Sequence, residues 1–226
     1  RFLPHQITGI VGDNGAGKST FVKIISGVEK PTSGQLFLEG QAVVFHSARD
    51  ARRVGIEAVH QDLGLVDSMS VARNFFLGAE PRKHGIFLDI QKMRSETQRW
   101  LYEFGLRNLR GVDQDVGRLS GGERQAISIG RAVAFQRKML ILDEPTAALS
   151  VKETEKVFEY MRWARDQGLA VIAIMHNLRQ ILDIADRFVV FWHGRLVADM
   201  PNQGLDEQTL AEYVHLGHPG TESERE

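Results

Sequence analysis

One stretch near the start of the chain constrains it most: Gly12-Asp13-Asn14-Gly15-Ala16-Gly17-Lys18-Ser19-Thr20, a glycine, four residues, Gly-Lys and a hydroxyl residue. This is the P-loop pattern, and it carries a mechanism where a strand precedes it and a helix follows. Residues 7–11 form a short apolar run suited to a buried strand, and residues 20–25 carry helical spacing. Both flanks are therefore present. The glycines let successive backbone N–H groups converge on phosphate oxygens, and the start of the following helix adds partial positive charge. Lys18 is placed to reach the β/γ-phosphates. Ser19 offers a hydroxyl to Mg²⁺, an ion that keeps most of its waters and takes few protein ligands. An ordinary glycine-rich turn is the competing reading of the stretch taken alone.

A chain of 226 residues can bury a full core, as one large domain or a domain with a lobe. Lys+Arg total 28 against 29 Asp+Glu, a net charge of −1. Such a chain has no basic field to draw in nucleic acid, which disfavours a DNA- or RNA-binding role. The absence of cysteine excludes disulfides and thiolate metal sites and suits a reducing compartment. Apolar runs such as 169–175 and 188–192 fall far short of the ~20 residues of a spanning helix. The chain opens on Arg1 and reaches its P-loop strand almost at once, so its beginning is expected to be missing.

Further along, residues 35–38 and 42–45 read as a hairpin turning at Glu39-Gly40, and Ser47 as the cap of a short helix through Val54. Residues 56–59 read as another strand. From 62 to 118 the texture changes to an inserted helical lobe, with Ser70 capping one helix and Asp89 opening a longer one that Gly105 stops. A helix from 121 to about 135 and strand 139–142 return to the core. Helix 152–166, strand 169–175, helix 178–185 and a hairpin turning at His193-Gly194 follow, then a last helix capped by Asp206 and a polar tail over 217–226. Alternating strand and helix predicts an α/β fold, a mainly parallel sheet covered on both faces with antiparallel elements at its margin. One domain over 1–226 is expected to hold all of this.

Two further stretches carry chemistry. Residues 139–142 run as an apolar strand into Asp143 and Glu144, which a parallel sheet delivers to the crevice at its carboxyl edge. Asp143 suits Mg²⁺, and Glu144 suits the water that attacks a γ-phosphate. Ser120-Gly121-Gly122, at a helix start, makes a second anion-binding surface from a hydroxyl, exposed amides and a helix dipole. A single nucleotide does not need two such surfaces from one chain. His60, like Trp100, reads as a structural residue.

The P-loop, Gln61, Leu119-Ser120-Gly121-Gly122-Glu123, Ile141-Leu142-Asp143-Glu144-Pro145-Thr146 and His176 stand in the order found in ATP-binding cassettes. The chain resembles that family over nearly its whole length, so its core is expected to be a P-loop NTPase fold. Its wording at 55–63 and 70–74 is most similar to cassettes of bacterial importers of ribose, xylose and fructose type. The resemblance implies an ATPase with ATP and Mg²⁺ as cofactors, in a head-to-tail dimer whose nucleotide lies between the P-loop of one chain and Ser120, Gly121 and Gly122 of the other. It further implies that Gln61 serves Mg²⁺ and the attacking water, that His176 meets the γ-phosphate, and that membrane-spanning permease subunits dock through the helical lobe. A sugar-binding protein would then be an indirect partner, and the cassette a peripheral protein on the cytoplasmic face of the membrane. Two departures stand out. Ser150 occupies the place of a usual aspartate after Ala148-Leu149, and no aromatic-bearing antiparallel strand precedes the P-loop to stack on adenine. Repair and translation cassettes are the other soluble class, but the long coiled coil or second cassette they carry is not in this sequence. A dimerisation module that binds ATP without turnover is a third reading, which Ser150 favours and the filled Glu144 and His176 positions oppose.

Overall fold

The computed structural model describes residues 1–60, 62–106 and 111–218. Gln61 lies outside the described residues, as does the expected polar tail apart from Gly217 and His218.

The chain begins with β1 (Gln6–Val11), the P-loop and α1 (Lys18–Ile25). A hairpin of β2 (Leu36–Leu38) and β3 (Gln41–Val43) follows, then α2 (Ala48–Arg53) and β4 (Ile56–Val59). After the lobe come α5 (Gly121–Ala134), β7 (Met139–Asp143), α6 (Val151–Asp166), β8 (Ala170–Ile174), α7 (Leu178–Leu182), β9 (Arg187–Trp192), β10 (Arg195–Pro201) and α8 (Glu207–Leu216). The central sheet has the order β10-β9-β1-β8-β7-β4. All neighbours run parallel except β10, which returns antiparallel against β9. Parallel neighbours need crossovers, and the intervening helices supply them while covering both faces.

Strand alternation assigns the faces. Ile7, Leu140, Leu142, Val171 and Phe188 enter one apolar cluster with α5, α6 and α8, whereas Ile10, Ile141, Ile172 and Val189 enter another with α1 and α2. Because β1 lies between β8 and β9, the loop that follows it emerges at the middle of the sheet's carboxyl edge. Such a position is where open parallel sheets place their ligands.

The lobe contains α3 (Val71–Phe75), α4 (Ile90–Glu103) and a 3₁₀ turn at Val116–Arg118. Ser70 and Asp89 accept the expected capping bonds from the N–H groups of Arg73 and Lys92. The lobe has its own core, with Phe75, Met93 and Leu101 packed around Ile127 of α5. It is not wholly helical: β5 (Arg82–Lys83) and β6 (Phe87–Leu88) pair as a small hairpin. The turn is set by His84 and Gly85 at φ 51° and 75°, the two positive values a tight hairpin requires.

One local expectation is corrected, and the exposed hairpin stands as read. Ser47 does flank α2, but its hydroxyl donates to Asp50 Oδ2 at 3.0 Å and gives no capping bond to the helix. The β2–β3 hairpin pairs only with itself, leaving Phe37 63% and Val44 74% exposed. Phe2 packs against Phe21 of α1, ring centroids 5.9 Å apart, in the cluster beneath that hairpin.

Candidate active site

The P-loop closes on itself before any phosphate is considered. Lys18 Nζ donates to the carbonyls of Gly12 at 2.6 Å and Asp13 at 2.9 Å, curling the loop around its own lysine. The Ala16 N–H donates to Asp13 O at 3.1 Å, and the Gly194 N–H to Ala16 O at 3.0 Å, so the turn between β9 and β10 braces the loop from outside. Two glycines are obligatory for different reasons. A Cβ on Gly12, at φ 150°, would lie 2.2 Å from Phe191 O, and Gly17 begins α1 in the left-handed region at φ 103°. With glycine at that N-cap, no side chain satisfies the first-turn N–H groups of α1, which leaves them for an anion.

Lys18 is buried, and burial pulls its pKa below the ordinary lysine range, opposed by the nearby charges of Asp13, Glu144 and Asp143. The ammonium is thus drawn out of water, with its bonds going to two loop carbonyls rather than to a carboxylate. A cavity of 170 Å³ opens before it, lined by Asn14, Gly15, Lys18, Ser19 and Thr20 from the loop and by Asp143, Glu144 and His176 from the neighbouring strand ends. Three of the predicted segments, far apart in sequence, therefore share one pocket.

β7 and β8 place the second half. Asp143 ends β7, and Glu144 leaves it at φ 53°, held by its N–H donating to Ile174 O at 2.9 Å. The kink turns the Glu144 side chain to His176, whose Nε2 stands 2.5 Å from Glu144 Oε1. Asp143 Oδ2 in turn faces His60 Nδ1 at 3.9 Å. His60, read from sequence as structural, therefore belongs to the site's periphery. A second residue missed by sequence is His215 near the end of α8, whose Nδ1 lies 3.2 Å from Asp13 Oδ2. No signal along the chain joins residues so distant, although a histidine in the last turn of a terminal helix is a place to look.

The residues present fit Mg²⁺ and nucleotide phosphate. Ser19 and Asp143 line the same small cavity as Lys18, and Mg²⁺ takes one or two protein oxygens with the rest from phosphate and water. Among the described residues no group of three or more His, Asp or Glu forms a ready-made metal cage.

Ser120, Gly121 and Gly122 do not line that cavity. Ser120 caps α5 with Glu123 in a reciprocal pair: Glu123 N–H donates to Ser120 Oγ at 3.3 Å and Ser120 N–H to Glu123 Oε2 at 2.9 Å. Gly121 lines a separate 550 Å³ recess with Leu149, Glu144 and His60. Ser150 heads α6 with the same arrangement, paired with Glu153. Its hydroxyl, in the place where an aspartate was expected, is engaged within its own chain.

Comparison with known proteins agrees with this geometry. The model of the ABC transporter family matches residues 1–147. Among curated relatives, the fructose import ATP-binding protein FrcA of Rhizobium meliloti is 43% identical over 85% of this chain and 76% of its own length. The xylose/arabinose import ATP-binding protein XylG of Sulfolobus acidocaldarius is 42% identical over 92% of this chain and 82% of its own. The ribose import ATP-binding protein RbsA 2 of Mesorhizobium japonicum is 39% identical over 94% of this chain, which spans 42% of that relative. Among solved structures, a nucleotide-free ATP-binding cassette from an ABC transporter superposes with a TM-score of 0.78 at 25% identity, covering 96% of this chain and 87% of that one. With its P-loop, its Asp143-Glu144 strand end and its relatives all pointing one way, the chain belongs to the ABC transporter family, as an ATP-binding cassette that uses ATP with Mg²⁺ and hydrolyses it.

Proposed function

We propose that this cassette is the motor subunit of a bacterial-type monosaccharide importer, converting ATP hydrolysis into movement of separate membrane-spanning permease subunits. The observation that carries the chemistry is the meeting of Lys18, Ser19, Asp143, Glu144 and His176 around one cavity. The names of the relatives, which import fructose, xylose/arabinose and ribose, carry the substrate class. A net charge of −1 offers nucleic acid no purchase.

In this reading Gly12 through Thr20 bind the phosphates, with backbone N–H groups and Lys18 as donors. Ser19 and Asp143, with Gln61, would hold Mg²⁺, which would supply positive charge against the transferring phosphoryl group. Glu144 accepts the proton of the attacking water. His176, bonded to that carboxylate, fixes its orientation and meets the γ-phosphate.

The cassette works as a head-to-tail dimer, in which Ser120, Gly121 and Gly122 complete the nucleotide site of the second copy. Their absence from their own chain's phosphate cavity supports this reading. The permease docks where the lobe meets the core, at a 570 Å³ groove lined by Arg52, Glu57, Leu63, Leu77, Glu80 and Arg131. Arg131 of α5 donates to Leu77 O at 2.9 Å, which ties lobe to core, while on the core side Glu57 accepts from Arg137 at 3.0 Å and pairs with Arg52 at 3.1 Å. Docking there keeps the cassette on the cytoplasmic face and makes a sugar-binding protein an indirect partner. No described helix is long and apolar enough to cross a membrane.

The test is ATPase activity of the full-length protein alone and reconstituted with candidate sugar permeases. Stimulation by a monosaccharide permease, and by its binding protein loaded with sugar, is the expected result. A second reading, a dimerising module without turnover, rests on Ser150 being committed to its own helix cap. Phosphate release at the background rate in every reconstitution, alongside ATP-driven dimerisation, would favour it.

A further inference from the structure

Asp13 faces two ways. Its carbonyl oxygen accepts from Lys18 Nζ at 2.9 Å, inside the loop, while its carboxylate turns to α8, with His215 Nδ1 standing 3.2 Å from both Oδ1 and Oδ2. The Asp13 side chain does not line the phosphate cavity. His215 is carried to it by a helix end that is fixed on its own account. Leu210 and Val214 of α8 are buried in the core, and the His215 carbonyl accepts from the Trp192 indole N–H at 3.2 Å. Gly217 then ends the helix at φ 78°, where a Cβ would lie 2.9 Å from the Trp192 ring. Trp192 closes β9, and the turn after it braces the loop through the Gly194 N–H and Ala16 O. The P-loop is therefore held at two points, Ala16 by that turn and Asp13 by the end of α8.

We propose that His215 is a positioning residue for ATP, which keeps the Asp13 carboxylate turned away from the phosphates so that α8 sets the affinity of the P-loop. The two side chains are 62% and 52% exposed, and an exposed ion pair adds little to the stability of a fold. Its effect lies in where it keeps the carboxylate. Released, that group can swing toward Lys18, compete with phosphate for the ammonium and repel the incoming negative charge. The inference rests on the phosphate-binding reading of the P-loop and is independent of the importer role.

The experiment measures ATP affinity by equilibrium titration, and kcat by steady-state hydrolysis, in the full-length protein. The variants are His215→Ala, His215→Asn, Asp13→Asn and Asp13→Asn/His215→Ala, with Lys18→Ala as the control on the loop. His215→Ala is expected to weaken ATP binding roughly two- to tenfold, the size of one partly screened charge moved by a few ångströms, with kcat at saturating ATP and the melting temperature unchanged. Asparagine, whose side-chain N–H stands where Nδ1 did, is expected to restore the affinity. In the Asp13→Asn background His215→Ala is expected to change nothing, since no carboxylate is left to hold. An equal loss in that background would show that α8 acts by packing alone and would overturn the inference. Parental affinity in His215→Ala, beside a weakened Lys18→Ala, overturns it as well and leaves the phosphate-binding reading standing. Full ATP affinity in Lys18→Ala overturns that reading and this inference with it.

Discussion

Glu144 and His176 meet at 2.5 Å although they leave different strands, because β7 and β8 are parallel neighbours whose carboxyl ends stand side by side. The positive φ of Glu144 turns the carboxylate out of line with the strand and toward the imidazole. Replacing the base while keeping its shape tests the pair. Glu144→Gln is expected to bind ATP as the parent does and to hydrolyse it about 10²- to 10⁴-fold more slowly, the range for losing a general base. Single-turnover phosphate release measures it, and a parental rate would remove Glu144 from the role.

Lys18→Ala removes the one buried ammonium from the phosphate cavity and also the two carbonyl contacts that curl the loop. A hydrogen bond to a charged group contributes about 1.5–3 kcal/mol, so ATP affinity is expected to fall tenfold or more. Titration calorimetry on the folded variant, with circular dichroism as the control for folding, reads this out.

Ser120→Arg puts a bulky side chain at the α5 start, away from the chain's own phosphate cavity. Monomer nucleotide binding is expected to survive and ATP-driven dimerisation to vanish in a Glu144→Gln background. A dimer that persists in sedimentation would contradict the shared site.

Gly12→Ala tests the loop's framework. A methyl group 2.2 Å from Phe191 O, at a φ that alanine avoids, must displace either β9 or the loop. The strained backbone alone costs on the order of 1–3 kcal/mol, read as a lower denaturation midpoint even without nucleotide. Gly15→Ala, with no atom within 4 Å of the added methyl, carries only the cost of its φ of 80° and is expected to unfold later than Gly12→Ala.

Much of this architecture was legible in the chain because its signals are local. The P-loop names its own strand and helix, and Asp143-Glu144 at the end of an apolar strand marks the sheet edge where it must lie. Caps at Ser70, Asp89 and Asp206 were readable for the same reason, since each hydrogen bond closes within three residues. The β5–β6 hairpin could have been found: His84-Gly85 repeats the His193-Gly194 turn, but its strands are only two residues each and show no alternation. Contacts such as His60 with Asp143 and His215 with Asp13 depend on how distant elements pack, and leave no trace in spacing. Gln61 lies outside the described residues, so its part in the site rests on the family resemblance alone.

The tie between α8 and the P-loop has a practical consequence. His215 touches Asp13 with its ring, while its carbonyl accepts the Trp192 indole N–H at 3.2 Å, so one residue connects the phosphate loop to a fluorophore. The other two tryptophans, Trp100 and Trp163, pack edge to face against each other where α4 meets α6. Emission that shifts when nucleotide enters the loop would therefore come from Trp192, which gives the unlabelled protein its own optical gauge of P-loop occupancy.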